Sequence, residues 1–368
     1  MTGDIDTALD HAHRALGICD PNPRVGCVLT HIDGTTIGFG HTQHSGGAHA
    51  EIMALRGARE AGRDVRGATA YVTLEPCSHH ARTPPCCDAL IEAGIAKVVV
   101  AIEDPNPLVA GRGIAKLRAA GIEVEVIGGE WGEASRELNI GFFSRMIRGR
   151  PWVRMKVAAS LDGRTALENG ASQWITGEAA RADGHAWRKR AGAVLTGIGT
   201  VREDDPRLDV RLVSTEKQPL RVVVDSKLEI APSARLLQPP GQALIYTASD
   251  DAARIAGLAA PHIEVARLPA NDQGKTDLAA MLADLARREI NELHIEAGEK
   301  LNGSLLREGL VDELLIYLAP RLLGPGRSMA AIGPLASLAE SLDFEFVDAL
   351  RIGPDLRLRL RPPGRAAF

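Results

Sequence analysis

Two stretches carry the strongest chemical signal in this chain: residues 49–51 read HAE, and residues 76–86 read PCSHHARTPPC. Zinc prefers imidazole nitrogen and thiolate sulfur, and a catalytic zinc site uses three protein ligands so that water occupies the fourth position. His49, Cys77 and Cys86 supply three such ligands. The pattern therefore predicts a zinc centre, with its ligands at the starts of helices in an α/β domain.

Glu51 is placed to work beside this metal. It lies two residues after His49, in the first turn of a predicted helix, where it reaches the zinc water without being a ligand. Zinc lowers the pKa of bound water to about 7, and deamination also needs a group that moves protons to the ring and to the leaving ammonia. We therefore predict that Glu51 is the catalytic acid and base of a deaminase.

The loop between the two cysteines departs from the short P-C-x-x-C form of zinc nucleobase deaminases. Eight residues separate Cys77 from Cys86, and they include His79 and Arg82, which suit a phosphate group. In an alternative interpretation, the metal is purely structural and Cys87 completes the tetrahedron. That alternative gives no reason for Glu51 beside the ligand.

Strands and helices alternate around these residues. Predicted helices cover 6–16, 48–61, 84–91 and 111–119, and predicted strands cover 25–30, 70–74, 97–102 and 122–127. Repeated units of this kind are typical of a largely parallel sheet with helices on both faces. Asn22 precedes the first strand, and Asp104 and Asn106 follow a buried strand at its carboxyl end, where ligands of open α/β sheets bind.

The length of 368 residues favours two domains, and the basic segment from Ser144 to Pro151 is interpreted as the link. We predict domains at 1–145 and 146–368. The second is also α/β, with strand candidates at 153–158, 194–195, 221–224, 243–246, 293–295 and 314–318.

Charge and cysteine content restrict the partners. With 43 Lys+Arg against 47 Asp+Glu, the net charge of −4 offers no general attraction to nucleic acid or to an anionic membrane. No apolar stretch approaches the ~20 residues of a membrane helix. Five cysteines, an odd number, favour reduced thiols and a metal over disulfides. We expect a cytoplasmic protein.

The chain resembles the bifunctional riboflavin-biosynthesis deaminase/reductase family over nearly its whole length. In the first domain the resemblance rests on residues 21–26 (PNPRVG), 49–51, 73–80 (TLEPCSHH), 83–86 (TPPC) and 104–107 (DPNP). It implies a cytidine-deaminase-like, three-layer α/β/α domain that removes an amino group from a phosphoribosylated diaminopyrimidinone. Ala81 stands where the family usually has Gly, a difference confined to the path of the pocket loop. The implied substrate contacts are His79, Arg82, Asp104 and Asn106. The amide of Asn22, in a turn between two prolines, is expected to bind a sugar or a ring edge, and the alternative is that it only stabilises the turn.

The second domain lacks a P-loop and a Gly-x-Gly-x-x-Gly motif, yet it resembles the reductase half of the same family. The matching sequence motifs are KVAASLDG (156–163), SQWITG (172–177), GIGTV (197–201), DDPRL (204–208) and EAG (296–298). That half resembles dihydrofolate reductase in fold, so NADPH binding needs no Rossmann motif. The implied NADPH contacts are Ala158, Trp174, Thr200, Asp204, Ser226, Gly298, Gly303 and Ser304, and the implied substrate contacts are Ser172, Arg188, Leu208, Arg211 and Glu296.

These features predict two steps: zinc-dependent deamination of 2,5-diamino-6-(5-phosphoribosylamino)pyrimidin-4-one, then NADPH reduction of the ribosyl chain. Arg188 and Arg211 suit the 5-phosphate because guanidinium pairs with it bidentately. The partners are small molecules and further copies of the chain in a homo-oligomer. A tRNA or free-nucleoside deaminase with an accessory domain is one alternative, and a zinc-stapled sensor of pyrimidine or NADPH without turnover is another. Glu51 is the residue that discriminates these functions, because deamination needs a group that transfers protons and binding alone does not.

Overall fold

The chain folds as two compact units, Met1–Gly149 and Arg150–Phe368. The structure is a computed structural model, and it describes residues 2–78, 84–107 and 109–368. His79, Ala81 and Arg82, singled out from the sequence, lie outside the described residues. In the described part of the chain, no helix combines the length and the apolar character that a bilayer crossing requires.

The first unit alternates helices and strands. Its elements in chain order are α1 (Thr2–His13), β1 (Gly26–Thr30), β2 (Thr36–His41), α2 (Ala50–Glu60), β3 (Thr69–Val72), α3 (Cys86–Glu92), β4 (Lys97–Val100), α4 (Arg112–Ala119), β5 (Glu123–Val126), α5 (Gly129–Leu138) and α6 (Ile140–Arg148).

The strands described in this unit form one five-stranded sheet in the order β2-β1-β3-β4-β5. Strands β3, β4 and β5 are parallel, whereas β1 is antiparallel to both β2 and β3. The predicted parallel arrangement is therefore correct for β3, β4 and β5 and wrong for β1 and β2. Strand β2 was missed because it returns from β1 through a tight turn, in which Gly34 has a φ of 83°.

The second unit is larger. Its elements are β6 (Trp152–Ser160), β7 (Arg164–Leu167), α7 (Glu178–Arg190), β8 (Ala193–Gly197), α8 (Ile198–Asp204), β9 (Leu220–Val224), β10 (Ala243–Thr247), α9 (Ala252–Gly257), β11 (Ile263–Arg267), α10 (Leu278–Arg287), β12 (Glu292–Ile295), α11 (Glu299–Arg307), β13 (Glu313–Ala319), β14 (Gly326–Ser328), β15 (Glu345–Ile352) and β16 (Asp355–Arg361).

Its main sheet, counted over the described residues, has nine strands in the order β11-β10-β9-β8-β12-β6-β13-β16-β15. The strands from β11 to β13 are parallel, and β16 and β15 extend the sheet antiparallel at one edge. Parallel strands bring their carboxyl ends to one edge of the sheet. That edge holds Ala158, Thr200, Ser226, Glu296 and Gly298, which the sequence assigned to cofactor and substrate.

The two faces of the central strands differ in chemistry. In β12, Leu293 and Ile295 join an apolar core with Leu282 and Leu285 of α10, while Glu292 and His294 lie on the opposite face. Glu292 and His294 are also completely buried. Helix α7 lies against this face, where its Arg190 donates a hydrogen bond to Glu292. Side chains alternate along a strand, so one buried strand contributes to an apolar core and to a buried polar layer at the same time.

The segment from Ser144 to Pro151 is not an irregular link. Helix α6 continues through Arg148, Ser144 is buried, and Gly149 ends the helix with a φ of 66°. The compact units divide after Gly149, whereas the boundary drawn from the sequence, between 145 and 146, falls inside this helix. Arginines in the last helical turn complement the helix dipole, which is why a basic run closes a helix here.

Candidate functional site

Three candidate metal ligands converge at two helix starts in the first unit. His49 immediately precedes α2, Cys86 is the first residue of α3, and Cys77 lies in the segment after β3. The Nδ1 atom of His49 is 3.2 Å from Sγ of Cys86 and 3.7 Å from Sγ of Cys77. All three ligand atoms lie within 4.8 Å of one another.

This arrangement fits zinc. Bond lengths of about 2.0 to 2.3 Å to nitrogen and sulfur place neighbouring ligand atoms of a tetrahedron about 3.5 to 3.8 Å apart. Cys87 is not in the cluster, because its thiol donates to the carbonyl oxygens of Pro76, at 3.3 Å, and Gly113, at 3.5 Å. Burial raises the pKa of the Cys87 thiol to about 12, so it stays protonated. The interpretation in which Cys87 completes the tetrahedron finds no support in this geometry.

The environment of the two ligand thiols moves their pKa values in opposite directions. The Cys86 thiol donates to Cys77 and, together with His49, lowers the pKa of Cys77 to about 4, while the same contact raises the pKa of Cys86. The backbone N–H of Cys86 also points at Sγ of Cys77, at 3.3 Å. A thiolate is the form that binds metal, so this environment prepares Cys77 as a ligand.

Glu51 lies in the first turn of α2 and is almost completely buried. Burial raises the pKa of its carboxyl, and the nearby His49 opposes that rise. A carboxyl whose pKa is moved toward neutrality is suited to take up and release protons near pH 7. Glu51 therefore has the burial and the position, close to the candidate ligands, that a residue acting as both acid and base in the deaminase would need.

The segment after β4 approaches the same region. The backbone N–H of Asp104 donates to Oε2 of Glu75, and Oδ1 of Asp104 accepts the backbone N–H of Asn106, at 2.7 Å. Asp104 is close enough to Cys77 for the thiolate charge to raise its pKa, although burial is the larger cause. Asn22 lies in the turn before β1, where its backbone N–H donates to the carbonyl of Cys19.

Burial raises the pKa of Asp104 to about 7, which makes the stability of the first unit depend on pH. An unfolded Asp has a pKa of about 3.9, so the folded state holds this proton more tightly, and the resulting stabilisation is lost as pH rises through 7. Asp104→Asn keeps the acceptor oxygen and removes the ionisation. Its free energy of unfolding relative to the parent should therefore increase by about 1 to 2 kcal/mol between about pH 5.5 and about pH 8.

Denaturant unfolding of the zinc-loaded protein at the two pH values measures this difference. Asp64→Asn is the control, because Asp64 is exposed in the same unit and caps a turn by accepting the backbone N–H of Arg66. A difference between Asp104→Asn and the parent that did not change with pH would contradict the raised pKa.

In the second unit, the predicted contacts collect at the carboxyl edge of the parallel strands. Ala158 is near the end of β6, Thr200 is in the first turns of α8 after β8, and Ser226 follows β9. Glu296 follows β12, and Gly298 immediately precedes α11. A Cβ on Gly298 would lie 3.6 Å from Oγ1 of Thr200, so the starts of α8 and α11 adjoin. The first-turn N–H groups of α11 suit a cofactor phosphate.

Glu296 and Arg188 form a bidentate ion pair at this edge. The guanidinium of Arg188 donates to both carboxylate oxygens of Glu296, at 2.5 and 2.9 Å, and to the carbonyl of Asp209. Nζ of Lys156 is 3.6 Å from the same carboxylate. Burial alone would raise the pKa of Glu296, but Arg188 and Lys156 hold it well below its usual range. Lys156 belongs to the KVAASLDG motif but was not predicted to be a site residue. Its place on the same face of β6 as Ala158 is the signal that would have found it.

Some predicted contacts have structural roles of their own. A Cβ on Gly303 would lie 2.1 Å from the carbonyl oxygen of Ala331, so glycine is required there by helix packing. Oγ of Ser226 accepts hydrogen bonds from the backbone and side chain of Thr276. Leu208 is almost completely buried, and its φ of 54° lies in the left-handed region. The hydroxyl of Ser304 donates to the carbonyl of Lys300 within α11.

The remaining contacts are more accessible. Trp174 is exposed, and the guanidinium of Arg181 lies 4.6 Å from the centre of its ring. Arg211 is exposed and pairs with Asp209 at 2.7 Å, and Ser172 lies in the segment that precedes Trp174. Burial, the larger cause, and the nearby Glu203 raise the pKa of Asp204, at the end of α8.

Comparison with known proteins matches both units. Residues 5–102 match the cytidine and deoxycytidylate deaminase zinc-binding region, and residues 151–358 match the RibD C-terminal domain. The riboflavin biosynthesis protein RibD of Escherichia coli is 43% identical over 366 residues, which cover 96% of this chain and 97% of that protein. The chain belongs to the RibD family. The RibD of Aquifex aeolicus is 41% identical and covers 95% of each chain.

Solved RibD structures share the whole fold. Acinetobacter baumannii RibD superposes with a TM-score of 0.86 at 42% identity over 98% of each chain. A Thermotoga maritima diaminohydroxyphosphoribosylaminopyrimidine deaminase/5-amino-6-(5-phosphoribosylamino)uracil reductase gives 0.87 at 34% identity, again over 98% of each chain. The predicted fold class is confirmed: a cytidine-deaminase-like domain followed by a reductase domain of dihydrofolate-reductase type. The chain is a bifunctional deaminase and reductase of riboflavin biosynthesis.

Proposed function

We propose that the first unit hydrolytically deaminates 2,5-diamino-6-(5-phosphoribosylamino)pyrimidin-4(3H)-one. The second unit then reduces 5-amino-6-(5-phosphoribosylamino)uracil with NADPH to the ribitylamino product. The observation that carries the proposal is the convergence of His49, Cys77 and Cys86 beside the buried Glu51. The Thermotoga maritima relative is named for the same pair of reactions.

In the deaminase step, His49, Cys77 and Cys86 are proposed to hold the metal, which supplies an activated water when bound. Glu51 would take the proton released when water adds to ring position 2, and would deliver protons to the ring nitrogen and to the amino group that leaves as ammonia. Asn22, His79, Arg82, Asp104 and Asn106 are proposed to bind the substrate. Asp104 and Asn106 are held in one loop by their mutual hydrogen bond.

In the reductase step, NADPH would, when bound, supply the hydride that reduces C1 of the opened ribose. The chain orients the reactants and excludes water. The proposed cofactor contacts are Ala158, Trp174, Thr200, Asp204, Ser226, Gly298, Gly303 and Ser304. The proposed substrate contacts are Ser172, Arg188, Leu208, Arg211 and Glu296. The Arg188–Glu296 pair holds both partners in one geometry, so their polar groups present a fixed surface to the substrate.

Turnover with and without NADPH tests the proposal directly. Ammonia release should need zinc and no NADPH, and NADPH oxidation should need the deaminated product. Metal analysis of the same sample should find one zinc per chain. Ammonia release from cytidine or an RNA hairpin, with none from the diaminopyrimidine phosphate, would instead favour the nucleoside or tRNA deaminase. Binding without any turnover would favour the sensor.

Arg211 is the better candidate for the 5-phosphate of the two arginines. It is exposed and pairs only partly with Asp209, whereas Arg188 is already engaged by Glu296. Arg211→Ala should lower reductase kcat/KM by roughly tenfold or more, the loss expected for one charge-assisted contact. Ammonia release should not change. NADPH oxidation with the phosphorylated substrate and its dephosphorylated analogue measures the effect.

Arg202→Ala is the matched control, since Arg202 is an exposed arginine of the same unit that pairs with Glu229. The preference for the phosphorylated substrate should shrink in Arg211→Ala and persist in Arg202→Ala. Equal preferences in both variants would place the phosphate elsewhere.

We also propose that the chain is a homo-oligomer, formed through the β15 edge of the second unit. β15 is an edge strand whose apolar side chains are exposed, including Phe346, Val347 and Leu350. Edge strands with exposed apolar residues pair readily with another copy, and two-fold symmetry would bring the same surface from both copies together.

Phe346→Glu should therefore lower the mass of the particle in solution, because a charge would be buried at the interface. Sedimentation equilibrium measures that mass. Ile32→Glu is the control, since Ile32 is an exposed apolar residue in the turn after β1. An unchanged mass for Phe346→Glu would exclude this edge as the interface.

The proposed location is the cytoplasm. The five cysteines are all unbridged, and three of them are the candidate ligand Cys77, the candidate ligand Cys86 and the protonated Cys87. Reduced thiols of this kind are typical of a reducing compartment. The net charge of −4 also supports a small-molecule substrate over nucleic acid.

A further inference from the structure

Glu75 makes an unusual set of hydrogen bonds beside the candidate metal centre. Its buried carboxylate accepts four backbone N–H groups. Oε2 accepts from Asp104 at 3.2 Å and from Gly111 at 2.9 Å. Oε1 accepts from Gly113 at 2.9 Å and from Ile114 at 3.2 Å. Oε2 therefore joins the two ends of the segment that runs from β4 into α4, and Oε1 binds the first turn of α4.

These contacts join three parts of the first unit. Glu75 is two residues before the ligand Cys77, and its own N–H donates to the carbonyl of Ile102 at the end of β4. Gly111 and Gly113 belong to the start of α4, where unpaired N–H groups need acceptors. A Cβ on Gly113 would lie 2.0 Å from the carbonyl oxygen of Pro76, so the helix start touches the segment that carries Cys77.

We propose that Glu75 is a positioning residue of the deaminase. It fixes the loop that carries Asp104 and Asn106 at a set distance from the metal ligand Cys77. The Glu75 side chain is suited to this because its two oxygens accept four backbone N–H groups. The inference rests on the proposed deaminase function, in which Asp104 and Asn106 contact the substrate. Glu75 itself touches neither substrate nor metal in this scheme.

The chemistry explains why an amide cannot replace this carboxylate. In Glu75→Gln, one acceptor oxygen becomes an NH2 group that faces backbone N–H donors. Two of the four contacts are then lost and replaced by repulsion. The loop would keep its covalent path but lose its fixed position relative to Cys77. Substrate binding should suffer, whereas groups that act directly on the metal water should keep their geometry.

The test is steady-state ammonia release by the zinc-loaded full chain, with reductase activity on the deaminated substrate as an internal control. Glu75→Gln should raise the deaminase KM by about tenfold or more, with kcat changed by less than about threefold. Zinc content and reductase activity should stay at the parental values. Thr73→Val is the matched control, because it removes a buried hydrogen bond, to the N–H of Gly26, from the same segment without touching the loop.

A double-mutant cycle with Asp104→Asn separates positioning from general stability. If Glu75 acts through the loop, Glu75→Gln should add little to the KM increase of Asp104→Asn, because residues that act as one unit are non-additive. Independent multiplication of the two effects would overturn the proposal, as would a KM change no larger than that of Thr73→Val. Loss of zinc or of reductase activity in Glu75→Gln would also overturn it, since Glu75 would then support the fold. A parent that releases no ammonia would instead refute the deaminase function, and the positioning role with it.

Discussion

Replacement of Glu51 by Gln is expected to lower the rate of ammonia release by about 10²- to 10⁴-fold, the range that general acid–base catalysis contributes. The amide has the same shape but cannot carry a proton between water and the leaving amino group. Because Glu51 is buried beside the ligands and is not one of them, zinc should remain at one per chain. Ammonia release and metal content, measured on the same sample, check both statements.

Two comparisons make this result specific. Cys77→Ser should lose zinc as well as ammonia release, because a ligand thiolate is removed. NADPH oxidation by the second unit should stay at the parental rate in Glu51→Gln. A Glu51→Gln protein that released ammonia at the parental rate would disprove the catalytic role, and one that lost zinc would show that Glu51 supports the metal site.

Glu313→Gln is expected to destabilise the second unit by about 3 to 5 kcal/mol, because it removes a buried carboxylate charge that Arg154, Arg359 and Arg361 share. Glu313 is completely buried. Its Oε1 accepts from Arg154 at 2.5 Å, and its Oε2 accepts from Arg359 at 3.0 Å and from Arg361 at 2.7 Å. Denaturant unfolding at neutral pH measures the loss.

The same residue should make stability depend on pH. Burial alone would raise the pKa of Glu313, but Arg154, Arg359 and Arg361 hold it well below its usual range. An unfolded Glu titrates near about 4.3, so this stabilisation is present above that pH and is lost as the solution becomes more acidic. The difference between parent and Glu313→Gln should therefore shrink below about pH 4.

Glu264→Gln is the control for the second unit. Glu264 pairs with Arg288 at the surface, and an exposed ion pair contributes about 0 to 1 kcal/mol. Equal losses for Glu313→Gln and Glu264→Gln would contradict the account of a buried charge network.

The chemistry of the metal centre could be predicted from the sequence. His49, Cys77 and Cys86 are donor types that few other sites combine, and Glu51 has no explanation in a closed structural zinc site. The structure brings the three ligands together as expected. Such local predictions succeed because the ligand types and the helix starts that carry them are encoded within short segments.

Other features depend on residues far apart in the chain. Glu75 accepts the N–H of Ile114, and Arg188 pairs with Glu296, contacts that no local pattern indicates. The alternation of Glu292 with Leu293 normally indicates a half-exposed strand, yet here the polar face is buried as well. The buried carboxylate of Glu292 pairs with Arg154 of β6 and with Arg190 of α7.

The sequence alone thus predicted a His/Cys/Cys metal centre and two α/β units, because donor type and strand–helix alternation are local properties, whereas the two activities were predicted from the resemblance to a known family. Only the tertiary structure decided how the loop of Asp104 is held near Cys77. It also decided that Arg188 is already paired with Glu296. It also decided where the sheet of the second unit ends, at β15. Those outcomes follow from backbone and charge partners that meet only when distant segments pack together.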